Sequence, residues 1–333
     1  MSYWDDKKVL VTGGAGFVGS HLVEMLAGLS SKAEITVADD FSRGDKSHIA
    51  SVSGRVKIEQ ADLTRVEDCR RVCRGQDVVL NLAAKVGGVG YNMKHPATMF
   101  RENSRLSTAM LKAACDEKVG RFTVVSSACV YRRHCTIPTP ETEGFEGWPE
   151  DTNEGYGWAK RMAEFEATAY HKEFGLNVAI VRPYNCYGPR DHFGSEDSHV
   201  IAALIRRVFD GENPIRVWGD GTQTRAFLYV EDFARGVLEA TERYAECDPI
   251  NLGSDEEVSI SDLIKMIVDI SGSKAPVEFD VSKPSGQPRR NCDTRKAKEK
   301  AGFESRVSLR EGLKRTIDWY RTTYETKLDS SLV

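Results

Sequence analysis

No apolar run in the sequence approaches the ~18 residues that a membrane span requires. The longest uncharged stretch near the N-terminus, 9–23, is broken by Gly13, Gly14, Gly16 and Gly19. The basic lead and clean apolar core of an export signal are missing too. Eight cysteines are present, but there is no Cys-x-x-Cys pair and no histidine at metal-ligand spacing. Neither a disulfide framework nor a metal site is expected. Positive charge is not in excess: 46 Lys and Arg against 50 Asp and Glu leave a net charge of −4. That balance argues against nucleic acid or a membrane surface as partner. The expectation is a soluble, cytoplasmic chain whose 333 residues supply roughly two domains.

What is present is an alternation of β-branched runs and helical patterns. Residues 8–12, 34–38, 56–59, 77–82, 122–126 and 178–181 read as strands, several of them apolar nearly throughout. Such strands suit a parallel sheet covered on both faces. Helical stretches fall near 17–29, 64–74, 96–118 and 156–174, the last closed by Gly175. The fold class is therefore α/β, a doubly wound parallel sheet of the Rossmann type with a smaller mixed α/β substrate lobe. Beyond Pro183 helices are expected at 198–210, 231–243, 259–271 and 308–324. Strands are expected at 215–218, 225–230, 249–252 and 276–280. The cofactor domain is assigned to 1–184 and 223–250, and the substrate lobe to 185–222 and 251–333.

Gly13, Gly16 and Gly19 lie three apart between the first strand and the first helix. Glycines so placed permit a tight turn, backbone approach to a pyrophosphate and close helix–strand packing. Asp39 ends the second strand, where a carboxylate would bond the adenosine ribose and repel a 2′-phosphate. NAD is therefore expected, with NADP left open because Arg43 lies near. Asp62 either reaches the adenine or caps the helix beginning near Thr64.

Tyr156 and Lys160 lie four apart on one helix face, and Ser127 ends the fifth strand, the edge at which ligands of open α/β sheets sit. Hydride chemistry on an alcohol needs a group to carry the hydroxyl proton. A free tyrosine, with a pKa near ~10, is too weak a base. A cation ~4 Å away contributes about 4 kcal/mol at an effective dielectric of ~20, about three pKa units. Lys160, with the positive nicotinamide, is thus expected to bring Tyr156 into working range.

Together Gly13-x-x-Gly16-x-x-Gly19, Ser127 and Tyr156-x-x-x-Lys160 resemble the extended short-chain dehydrogenase/reductases, the NAD-dependent epimerase/dehydratase family, over essentially the whole chain. The segments 83–88, 127–131, 198–201, 218–225 and 282–289 look like its GDP-L-fucose synthase branch, while 127–129 and 253–257 look at least as much like its GDP-mannose 3,5-epimerase branch. The resemblance implies an acid/base pair, Cys129 and His199, that inverts carbons flanking a 4-keto group. It also implies cofactor contacts from Phe17, Val18, Leu63, Ala83, Lys85, Asn103 and Pro183. Substrate contacts would come from Asn185, Val200, Arg207, Trp218, Arg225 and Lys283.

The pairing is chemically sensible. A ketone acidifies both neighbouring C–H bonds, so inversion needs a base on one face and an acid on the other. Cys129, two residues beyond Ser127 on an extended backbone, would point to the same side. Seven basic residues between 283 and 300 suit a diphosphate, with Lys283 and Arg289 the favoured members. Ala128-Cys129 stands where sugar 4,6-dehydratases carry Asp-Glu, which disfavours dehydration. Arg132-Arg133 replaces a proline-containing turn usual in both branches. The expected activity is epimerisation of a GDP-sugar at positions 3 and/or 5, with or without net 4-keto reduction, by a homodimer. The alternatives are a UDP-sugar 4-epimerase and a cofactor-binding regulator without chemistry.

Overall fold

The structure, a computed structural model, describes residues 2–194, 198–283 and 287–330. The strands in chain order are β1 (Lys8–Thr12), β2 (Glu34–Asp39), β3 (Val56–Gln60), β4 (Val78–Asn81), β5 (Arg121–Val125), β6 (Val178–Pro183), β7 (Cys186–Tyr187), β8 (Ile215–Trp218), β9 (Thr224–Ala226), β10 (Leu228–Tyr229), β11 (Ile250–Leu252), β12 (Glu257–Ser259), β13 (Val277–Asp280) and β14 (Arg289–Arg290). The α-helices are α1 (Phe17–Leu29), α2 (Val66–Cys73), α3 (Val89–Lys94), α4 (Pro96–Asp116), α5 (Glu154–Phe174), α6 (Val200–Phe209), α7 (Val230–Arg243), α8 (Ile260–Ser271), α9 (Arg295–Ala301) and α10 (Leu309–Ser330).

Seven strands form one parallel sheet in the order β11-β6-β5-β4-β1-β2-β3. Successive residues of β1 show why it is buried on both faces. Val9 and Val11 enter one core with Leu22 and Leu26 of α1 and Val237 of α7. Leu10 enters the other with Val72 of α2, Met110 of α4 and Ala163 of α5. Strand order reverses between β1 and β4, so the crevice at their C-terminal ends is where an α/β sheet takes its ligand. Gly175 closes α5 at φ +72, the left-handed cap expected of it.

Three small sheets, β10-β7, β12-β9-β14 and β13-β8, stand apart from the main one. A third core, with Ile205 of α6, Ile264 of α8 and Ile317 of α10, packs among them. The expected single strand at 225–230 is divided. β9 pairs antiparallel with β12, whereas β10 pairs parallel with β7, and the chain changes partner at Phe227. Strand propensity continues across that point; hydrogen-bond partners do not.

Candidate active site

The turn from β1 to α1 reverses the chain within four residues. Gly13 adopts φ +64, and a Cβ there would lie 3.1 Å from the Ala83 backbone. A Cβ on Gly19 would stand 2.1 Å from the Gly13 carbonyl oxygen, so the helix can approach the loop only without one. Gly16 is the N-cap of α1, with no side chain capping the helix and no acidic residue in its first turn, which Phe17 and Val18 open. An uncapped helix start behind a loop that excludes side chains fits the pyrophosphate of NAD.

Neighbouring elements fix this loop. Gly13 donates its N–H to Ala38 at 2.8 Å. The Thr12 hydroxyl donates to Asn81 at 2.7 Å and accepts from the Ala83 N–H at 3.0 Å. Asp39 accepts from the N–H groups of Ala15 (3.0 Å) and Phe41 (2.9 Å), and its burial pushes its pKa up. It therefore stands beside the glycine loop, while Arg43 donates to the Val86 carbonyl on the loop after β4. Asn103 of α4 clamps both sides of the Lys85 peptide at 3.0 Å each. Pro183 ends β6, opposite Leu252. Leu63 is buried in the second core. The Asp62 carboxylate accepts from the N–H and hydroxyl of Thr64 at 3.0 and 2.7 Å, a local turn ahead of α2 whose N-cap is Arg65.

At the end of β5, Ser127 accepts the Cys129 N–H at 3.1 Å through its hydroxyl. That bond closes 128–130 into a single 3₁₀ turn, so the backbone is not extended as the sequence suggested. Tyr156 and Lys160 meet on α5, the ammonium 5.4 Å from the ring centroid and donating to the Val125 carbonyl at 2.8 Å. Burial lowers the Lys160 pKa to about 8. Burial, then the neighbouring Cys129, pushes the Tyr156 phenol up rather than down. Both causes raise it, so Lys160, itself desolvated, does not by itself supply the expected depression. One turn further on, Glu164 accepts from the Ser126 hydroxyl and from Arg182 at 2.9 and 2.7 Å, an ion pair with both side chains 2% exposed.

The residues expected from the sequence to meet substrate are spread more widely. His199 is the N-cap of α6 and Val200 its exposed first residue. Arg207, in the last turn, donates to the Arg216 carbonyl. Trp218 ends β8 and is 44% exposed. Asn185 donates to the Ala226 carbonyl at 2.8 Å. Arg225 of β9 is register partner of Arg290 on β14, and burial and then Arg290 lower its pKa to about 10. Lys283 is exposed in the turn after β13, its N–H on Asp280; 284–286 of the same segment lie outside the described residues. Arg289, favoured from the sequence, is held by Glu257 at 2.7 and 2.9 Å. Its neighbour Arg290 instead donates to the Cys129 sulfur at 3.6 Å.

The profile of the NAD dependent epimerase/dehydratase family matches residues 9–253. The chain belongs to this family. It is 30% identical to GDP-mannose 3,5-epimerase of Arabidopsis thaliana over 97% of its length and 85% of that protein. It is 32% identical to GDP-L-fucose synthase 1 of the same plant, covering 96% and 95%. Among solved structures it resembles the UDP-glucose 4-epimerase of Thermotoga maritima with UDP-glucose, at TM-score 0.86 and 29% identity, covering 95% and 99% of the two chains.

For a member of the epimerase/dehydratase family, the site brings Ser127, Cys129, Tyr156 and Lys160 into one cluster at the C-terminal end of β5. The sequence reading passed over two residues. Arg290 was one cation in a basic run. Its signal was strand alternation, which turns Arg289 and Arg290 to opposite sides of β14. Asp191, which faces His199, carried no periodic signal at all. Among the described residues no helix is long and apolar enough to cross a membrane.

Proposed function

We propose that the protein is an NAD-dependent epimerase of a nucleotide-diphosphate sugar, a GDP-sugar, inverting the carbons at positions 3 and/or 5 next to a 4-keto group. The observation that carries this reading is Cys129 in the Ser127–Tyr156–Lys160 cluster with the Arg290 guanidinium on its sulfur. A 4-epimerase needs only the serine, tyrosine and lysine. A thiol facing the same substrate, beside a cation to meet the charge it acquires on losing a proton, serves a second proton transfer. Bound NAD supplies the hydride acceptor and donor. Tyr156 carries the proton of the 4-hydroxyl, Ser127 hydrogen-bonds the same oxygen, and Lys160 sets the field around the phenol. Cys129 and His199 exchange protons with the flanking carbons on opposite faces. Arg225 and Arg290, adjacent on β9 and β14, supply positive charge for the diphosphate.

Solvent deuterium tests this. The wild type should incorporate deuterium at position 3 or 5 of GDP-mannose or its 4-keto derivative. Cys129→Ser should stop exchange while hydride transfer to a 4-keto substrate survives. A product epimerised at position 4 without solvent deuterium would instead establish the UDP-sugar 4-epimerase, a reading favoured by the likeness to the Thermotoga maritima enzyme. Absence of turnover with every nucleotide sugar would leave the regulator. Net 4-keto reduction is distinguished by whether NAD co-purifies, as a redox-neutral enzyme would retain it.

The division into two lobes, with boundaries after 184, 222 and 250, belongs to the same proposal; the separate sheets and third core support a second lobe, and β9, β10 and Phe227 pack with it. So do a cytoplasmic location and a homodimer. The dimer is supported by a groove of about 660 Å³ beside α4 and α5, lined by Phe100, Phe145, Trp158, Met162 and Phe165. Phe145, Met162 and Phe165 are exposed there, a feature that marks interaction surfaces. Light scattering that returns a monomer would remove it.

A further inference from the structure

His199 occupies the N-cap position of α6 without capping the helix through its side chain. Its imidazole is held from elsewhere. Nδ1 lies 3.3 Å from each carboxylate oxygen of Asp191. The imidazole is 47% exposed, whereas the Asp191 side chain is 3% exposed, so a fixed, buried anion orients a ring that opens outward. A carboxylate on one ring nitrogen determines which nitrogen is left to work.

Asp191 is itself secured. Oδ1 accepts the His192 N–H at 2.7 Å, and the Asp191 N–H reaches the Gly188 carbonyl at 3.4 Å. The preceding Arg190 sits at φ +68, a conformation uncommon for a residue with a side chain. Its guanidinium forks onto Glu24 of α1 at 2.9 and 3.0 Å. One turn earlier on the same helix, His21 Nε2 stands 3.0 Å from the Pro189 carbonyl oxygen. Residues 189 and 190 are thus bound to the helix whose first turn meets the cofactor.

We propose that Asp191 is a positioning residue for proton transfer to the sugar, holding His199 by Nδ1 so that Nε2 faces the substrate, and that Glu24 and His21 fix Asp191 relative to the cofactor helix. This rests on the reading of His199 above. In the transfer, the Nε2–H bond breaks and a C–H bond forms at the carbon beside the ketone. The enolate electron pair moves into that bond, the carbonyl re-forms, and a neutral imidazole remains, keeping its Nδ1–H and donating it to the Asp191 carboxylate. The reverse step returns the proton to Nε2.

Among the described residues, the charge of Asp191 raises the His199 pKa, while burial and the positive charge of Arg43 lower it. Whether His199 gives or takes the proton, removing that charge moves its limb of the pH profile downward.

The test compares wild type, Asp191→Asn, Asp191→Glu and His199→Asn, each loaded with NAD. Solvent deuterium exchange into GDP-mannose is measured across pH, and the His199 ring is titrated by NMR without substrate. Asp191→Asn should slow exchange about 100-fold at neutral pH. It should also lower the pH at which the ring titrates, while KM and hydride transfer to a 4-keto substrate hold. Asp191→Glu should recover part of both effects. An unchanged ring titration and exchange limb in Asp191→Asn, with exchange lost in His199→Asn, would overturn the role of Asp191 alone. Full exchange in His199→Asn, or none in the wild type, would overturn the underlying reading and this proposal with it.

Discussion

Lys160 is a charge the fold keeps at a cost, and the cost can be measured. Its side chain lies almost wholly inside the protein, and burial brings its pKa from 10.5 to about 8. Between those values the unfolded chain binds the proton and the folded chain does not. Stability therefore rises with pH through that window, and the penalty is fully present below about 8. A shift of about 2.5 units at 1.36 kcal/mol each corresponds to about 3 kcal/mol. Lys160→Met removes the titration. It also loses the bond to the Val125 carbonyl, whose dependence on the charge of the amine is already contained in the folded pKa and whose remainder only offsets the two curves. Urea unfolding of both proteins without NAD, at intervals from pH 7 to pH 11, should show the wild type gaining about 3 kcal/mol on the variant. Parallel stability curves would refute the reasoning: the amine would then not be desolvated. At neutral pH the variant should carry no hydride transfer, whatever its stability.

Tyr156→Phe should lower hydride transfer by about 10²–10⁴ with NAD affinity almost unchanged, because only the proton carrier is lost; more than about a tenth of wild-type activity would exclude Tyr156. Asp39→Ala should shift preference toward NADP and also weaken NAD, since the carboxylate both opposes a 2′-phosphate and secures the Ala15 and Phe41 N–H groups. Calorimetric titration with both cofactors checks it. Gly19→Ala places a methyl 2.1 Å from the Gly13 carbonyl oxygen, so NAD binding measured by fluorescence should be lost or the protein should fail to fold.

The sheet was legible because its strands are apolar on both faces and its helices periodic: β1 and α1 fall where the sequence put them, at Lys8–Thr12 and Phe17–Leu29. The reactive cluster was legible because Tyr156 and Lys160 share a helix face and Ser127 ends a strand, both local facts. What escaped depends on pairings between distant segments. Arg290 reaches Cys129 across 161 positions, and only the register of β14 with β9 brings it there. The turn at Cys129 was misjudged because one side-chain bond from Ser127 overrides the extended backbone that the preceding strand suggests. The upward push on the Tyr156 phenol was not legible because it comes from burial, which spacing along a helix face does not report.

The seventh strand of the main sheet has a consequence for synthesis. β11 pairs Ile250 with Val181 and Leu252 with Pro183 only after the chain has left the sheet, built β7 to β10 and returned along α7. While the protein emerges from a ribosome, β6 must therefore wait some seventy residues with one edge unpaired. An edge so apolar, displayed for that long, is a template for pairing with other chains. Fragments ending before Leu252 would retain that edge permanently. Their aggregation should end sharply once the fragments extend past it, which places the last committed step of sheet formation late in translation rather than at its start.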